Sequence, residues 1–105
     1  MKVRRGEEVR KSEILAAALE LAHDIGYQKI TRDALAIKAC CSTGLITTYF
    51  GTMNHLRRAI ISHAIAKHDL QVIAQGLTAN EAKAHHASEE LKRAAMEHTL
   101  LMGQE

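Results

Sequence analysis

The sequence predicts an all-α fold of about five helices, with two short helices meeting at a three-residue turn near its middle. Three observations predict it. Proline is absent from all 105 residues, which removes the strongest breaker of helices. Apolar residues recur at helical spacing along most of the chain. Short polar stretches carrying Ser, Thr or Gly fall between the periodic segments, where caps belong.

The elements follow in order. Ile14, Ala18, Leu21 and Ile25, widened by Leu15 and Ala22, form one stripe and predict a first helix over Ser12 to Ile25, which Gly26 closes. Thr31 caps a second helix of about two turns through Lys38, burying Leu35 and Ala39. Cys40-Cys41-Ser42 then interrupts the pattern, and Ser42 caps a third helix, Thr43 to about Phe50, with Leu45 and Phe50 inward. A fourth helix is expected from Thr52 or Asn54 to about Ile73, with Leu56, Ile60, Ala64 and Leu70 inward and Gly76 ending it. Thr78 and Glu81 have the spacing of a capping box, which predicts a fifth helix from Ala79 to about Leu101. Residues 1–9 are expected to be a flexible basic arm.

Length and composition set the bounds. A chain of 105 residues has room for one compact domain. Aromatic residues are few, namely Tyr27, Tyr49 and Phe50; Tyr27 and Phe50, beside apolar neighbours, read as core. The apolar runs are short and broken by charge, and the first residues lack the apolar segment of a signal peptide, so no membrane association is expected and a cytosolic location is expected. Cys40 and Cys41 are adjacent and cannot form a disulfide framework, so reduced thiols are expected. The net charge of +2 divides unevenly: residues 1–68 carry +5 and residues 69–105 carry −3. The basic part is suited to a polyanion.

Two short helices joined by a three-residue turn have the geometry of a helix-turn-helix. The residues Ile14, Leu15, Ala17, Ala18, Leu21, Gly26, Tyr27, Thr31, Leu35, Ala36, Ala39, Ser42, Gly44, Tyr49, Phe50 and Leu56, in ungapped register, resemble the DNA-binding domain of the tetracycline-repressor (TetR) family. The resemblance covers about residues 10–60. It implies a three-helix unit, TetR-like and homeodomain-like, at residues 10–52, with residues 53–105 as C-terminal helices that dimerise. It further implies that Ser42 to Tyr49 is the recognition helix, with Thr43, Gly44, Thr47 and Thr48 at bases or phosphates, and that Thr31 and Tyr49 bind phosphate. The expected activity is that of a double-stranded DNA-binding transcriptional regulator, a repressor, acting as a homodimer on a two-fold symmetric operator.

Three departures from the family pattern stand out. Cys40 occupies the turn where a glycine is usual, Thr47 replaces an aromatic, and Met53 replaces a phosphate-binding lysine. Asn54, His55, Arg57 and Arg58 are candidates to take over that lysine's work, and Lys2, Arg4 and Arg5 are candidates to reach phosphates or a minor groove.

The family normally continues into a longer inducer-binding domain, and the segment after the matched region is only about 45 residues here. This argues against a small-molecule inducer. Ala84, Ala87, Leu91, Ala94, His98 and Leu101 lie on a heptad seam of the expected fifth helix and are the candidate dimer contacts. The alternative is a protein-interaction module or antirepressor that keeps the helix-turn-helix fold and binds another regulator. The seven histidines include no i, i+4 pair, so no metal site is expected. No phosphate loop, nucleophile elbow or carboxylate pair in a recognisable context is present, and a domain this small has little room for a pocket, so neither an enzyme nor a cofactor is expected.

Overall fold

The computed structural model describes residues 2–103, with side chains for residues 6–101. Its order is α1 (Lys2–Ile25), a 3-10 turn (Tyr27–Lys29), α2 (Arg32–Ala39), α3 (Thr43–Phe50), α4 (Met53–Lys67), α5 (Leu70–Thr78), α6 (Ala82–His85) and α7 (Glu89–Gly103). Among the described residues there are seven α-helices and no strand, against the five helices expected. None of these helices is long and apolar enough to cross a membrane.

The first half follows the sequence pattern closely. Thr31 and Ser42 cap α2 and α3, their hydroxyls accepting from the amides of Ala34 and Leu45 at 3.1 Å each. Thr52 caps α4 through the amide of His55 at 3.2 Å. Ile14, Ala18, Ala22, Tyr27, Leu35, Leu56, Ile60 and Ala64 are buried as expected. Within α3 the buried residue is Ile46; Leu45 and Phe50 are only partly covered. Ile25 is exposed, because the stripe it belongs to ends where α1 leaves the core.

At the N-terminus, α1 extends back to Lys2 and so replaces the flexible arm expected over residues 1–9. Lys11 lies 3.5 Å from Glu7 at the i, i+4 spacing that supports such a turn. The side chains of Lys2, Arg4 and Arg5 lie outside the described residues.

The second half departs from expectation at two breaks. The predicted fourth helix is divided at His68, which adopts a left-handed conformation (φ 56°). The amide of His68 donates to Ile65 and that of Asp69 to Ala64, the paired bonds of a Schellman stop. Asp69 then caps α5 through the amide of Val72. The predicted fifth helix is likewise divided. Thr78 is the last residue of α5, Asn80 is left-handed (φ 59°), and the amides of Asn80 and Glu81 donate to Leu77 and Gly76 in the same motif. Ser88 starts α7, accepting from the amide of Leu91. Gly76, expected as a helix end, is buried inside α5.

These breaks fold α5, α6 and α7 back onto the rest. A single apolar cluster runs from Ile14 of α1 through Leu56 and Ile60 of α4 and Ile73 of α5 to Ala84 and Ala95. The end of α1 is fastened to α5 by side-chain bonds. Gln75 donates to the Ala22 carbonyl at 2.9 Å and accepts from the Tyr27 amide at 2.9 Å, while His23 Nε2 lies 2.8 and 2.9 Å from the two oxygens of Asp69. The Tyr27 hydroxyl donates to Glu81 at 3.4 Å. Burial, then the charge of Glu81, pushes its pKa up to about 12, so the phenol remains a donor at any ordinary pH.

The turn between α2 and α3 is a third Schellman stop, with Cys40 left-handed at φ 57° and ψ 47°. The backbone conformation a glycine would supply is thus kept, with a side chain added. Left-handed geometry costs a non-glycine residue about 1–2 kcal/mol, and glycine gives back roughly 0.5–1 in lost chain entropy. Because Cys40 is exposed, its thiol contributes little packing. Cys40→Gly is therefore expected to raise stability by about 0.5–1 kcal/mol, read as a higher melting temperature. An unchanged or lower melting temperature would show that the turn is not strained.

Candidate nucleic-acid interface

One face of α3 has no partner within the protein. Thr43, Gly44, Thr47 and Thr48 are exposed, while Ile46 on the opposite side is fully buried and holds the helix in place. The Thr47 hydroxyl donates to the Thr43 carbonyl at 3.2 Å and the Thr48 hydroxyl to the Gly44 carbonyl at 2.9 Å. In this arrangement each threonine turns hydroxyl lone pairs and a methyl outward. A methyl group at Gly44 would meet only Ser42 Oγ, at 3.9 Å, so nothing inside the protein requires glycine there. What the missing side chain provides is room for another molecule to approach.

Beside this face runs a groove of about 560 Å³ between the 3-10 turn, the start of α2 and the start of α4. Thr31, Thr43, Gly44 and Thr47 line it together with Lys29, Arg32 and Arg57. The structure thus brings Thr31 and Arg57 together with Thr43, Gly44 and Thr47, and adds Lys29 and Arg32. Arg32 Nη2 donates to the Gly51 carbonyl at 3.0 Å, bracing the end of α3 from the start of α2. Arg57 Nη1 donates to Asn54 at 3.3 Å.

The other expected residues flank the groove. Ser42 is exposed and occupied as the cap of α3. His55 is exposed, its Nδ1 3.2 Å from Thr52 Oγ1, and Asn54 and Arg58 are exposed on the same first turns of α4. Tyr49 is partly buried, edge-on to Phe50 with ring centroids 6.4 Å apart, and Lys11 stands 5.7 Å from its ring centre. This cation–π contact sets Lys11, which also pairs with Glu7, beside the end of α3. Sequence reading missed Lys11, Lys29 and Arg32, because each occupies a position that the motif leaves free. For Arg32 a signal existed in its place directly after the cap Thr31.

The expected dimer residues separate into two groups. Ala84 and Ala87, against expectation, are buried within their own chain, because the break before α7 takes them off its seam. Leu91, Ala94 and His98 are half-buried on α7, whose inner side carries the fully buried Ala95. Leu101 is exposed, together with Leu100 and Met96, which share the outer side. Elsewhere, a cleft of about 490 Å³ lies between the end of α1, the 3-10 turn, α5 and α7, where the sequence suggested little room for a pocket.

A stretch of the chain matching this construction is found in a known family. Residues 14–60, from the buried Ile14 of α1 to the buried Ile60 of α4, match the family model described as bacterial regulatory proteins, tetR family. No curated protein and no solved structure matches the chain. The match encloses α2, the Cys40 turn, α3 and the cationic groove, so the chain carries a helix-turn-helix DNA-binding domain of the tetR family of bacterial regulatory proteins.

Proposed function

We propose that this protein is a transcriptional repressor that binds a two-fold symmetric operator as a homodimer in the bacterial cytosol or nucleoid. The observation that carries the reading is the exposed face of α3 set against a cationic groove. An α-helix fits the major groove, where an outward threonine methyl suits the thymine methyl and hydroxyl lone pairs suit an amino group of adenine or cytosine. Thr31, at the start of α2, and Tyr49 bind the flanking backbone, and Asn54, His55 and Arg58 extend the contact along α4. One α3 reads only a few base pairs. A second copy, joined through the outer side of α7 at Met96, Leu100 and Leu101, supplies the other half-site.

Selecting bound fragments from random duplex DNA tests this directly. The expected product is a palindrome with half-sites about one helical turn apart. On that sequence Thr47→Ala and Thr48→Ala should each cost about 1–3 kcal/mol, with little change on random DNA. Equal losses on both would show that α3 does not read bases. Retention of no duplex at all would favour the antirepressor reading.

A further inference from the structure

The groove beside α3 gathers the cations of Arg32, Arg57 and Lys29 against one carboxylate, that of Asp33, and none of the three is ion-paired among the described residues. Arg32 and Arg57 approach it from different helices, and Lys29 comes from the 3-10 turn. The ion pairs among the described residues join Lys11 to Glu7, His23 to Asp69, Lys38 to Glu20 and Lys92 to Glu89, and include none of these three cations. Each guanidinium donates once through an Nη, to Gly51 or to Asn54, and each has a buried Nε that lacks a hydrogen-bond partner among the described residues. A buried N–H without an acceptor is costly, and two like charges in one groove repel. Both costs fall if an anion with several acceptor oxygens enters and the guanidiniums turn toward it.

Resting on the DNA-binding reading above, we propose that Arg32, Arg57 and Lys29 form a clasp for a phosphodiester of the DNA backbone, next to the bases read by Thr47. Guanidinium forks match phosphate oxygens bidentately, which a lysine at the same place does less specifically. The hydroxyls of Thr31 and Thr43 at the edge of the groove add uncharged donors. The site also answers the substitution of Met53: the charge expected there is supplied across the groove by Arg57 and, from the start of α2, by Arg32. Arg32 has a double task, since the group that holds the end of α3 through Gly51 is also the group that meets the phosphate.

The salt dependence of binding to a random-sequence duplex tests the clasp, because each phosphate neutralised adds close to one unit of slope. Arg32→Gln with Arg57→Gln should lower the slope by about one unit for each protomer bound and weaken all sequences alike, whereas Thr47→Ala should leave the slope unchanged. Lys29→Gln, at a side chain with no hydrogen bond among the described residues, should lower it by a smaller part of that unit. It also decides the matter if the double variant loses its helical circular dichroism. The pair Arg32→Lys and Arg57→Lys should keep the slope and lose part of the affinity. Wild-type slope in a folded double glutamine variant, or in Lys29→Gln when the double variant does not fold, overturns the clasp while leaving the DNA reading intact. A wild-type protein without salt-dependent affinity for duplex overturns both.

Discussion

A protein carrying Met96→Asp and Leu100→Asp is expected to sediment as a monomer and to lose operator binding, while keeping its melting temperature and its weak affinity for random DNA. The two residues are four apart on α7 and stand on its outer side, 46% and 66% exposed. Carboxylates at these positions stay in contact with water in the protomer, but a second copy seated on that side would have to bury them without partners, at several kcal/mol. Removing the second half-site returns binding toward the non-specific level, a loss on the order of 10³-fold or more. Leu91→Asp is the contrasting substitution. Leu91 packs against the protomer's own core, so its replacement should lower the melting temperature without changing the mass. A double aspartate variant that sediments at a dimer's mass would remove α7 as the interface. Wild-type protein that is monomeric at micromolar concentration, free and on DNA, would remove the dimer.

The half of the fold that matched its sequence pattern and the half that departed from it differ in how their helices stop. Around the helix-turn-helix the stops and starts, the left-handed Cys40 apart, are written in residues of known habit: Gly26 after α1, then Thr31, Ser42 and Thr52 as caps whose hydroxyls accept the expected amides. Farther along, α4 and α5 end on left-handed His68 and Asn80. Both make the paired bonds that a glycine usually accompanies, yet neither sits at a break in apolar periodicity. Gly76 supplied a stop signal where none is used, because a buried glycine can serve close packing as well as a turn. With the breaks misplaced, the heptad seam joined Ala84 to Leu101 along a helix that does not exist as one piece. The exposed face of α3 was named from the family resemblance, while Ile46, which fixes that face outward, was passed over as a core residue in favour of Leu45 and Phe50. The guanidinium groove was not legible, since Arg32 and Arg57 stand 25 positions apart in the sequence and only the packing of α2 on α3 and of α3 on α4 brings them together.

Gly76 gives the second large effect. A Cβ added there would lie 2.9 Å from Ala84 Cβ on α6 and 2.9 Å from Ile61 Cδ1 on α4. The isoleucine can turn its end away, but a Cβ attached to a helix backbone moves only if α6 moves. In an open helix Gly→Ala would gain about 1 kcal/mol from propensity. Here overpacking, typically about 1–3 kcal/mol, opposes that gain, and Gly76→Val adds two more methyl groups to the same gap without an alanine's compensation. Gly76→Ala should therefore be destabilised slightly, by about 1 kcal/mol net, and Gly76→Val by about 3 kcal/mol or more, a fall in melting temperature of roughly 12 °C or more. Ala84→Gly in the Gly76→Ala background should recover part of the loss through a coupling of about 0.5–3 kcal/mol. The consequence reaches the DNA-binding unit, because Gln75, the neighbour of Gly76, holds the end of α1 and the start of the 3-10 turn. A shifted α5 releases Ala22 and Tyr27 from that hold and loosens the turn that carries Lys29 into the groove. Gly76→Val is accordingly expected to reduce DNA affinity even below its melting temperature. A Gly76→Ala protein more stable than wild type would show that α5 and α6 do not meet as closely as this packing requires.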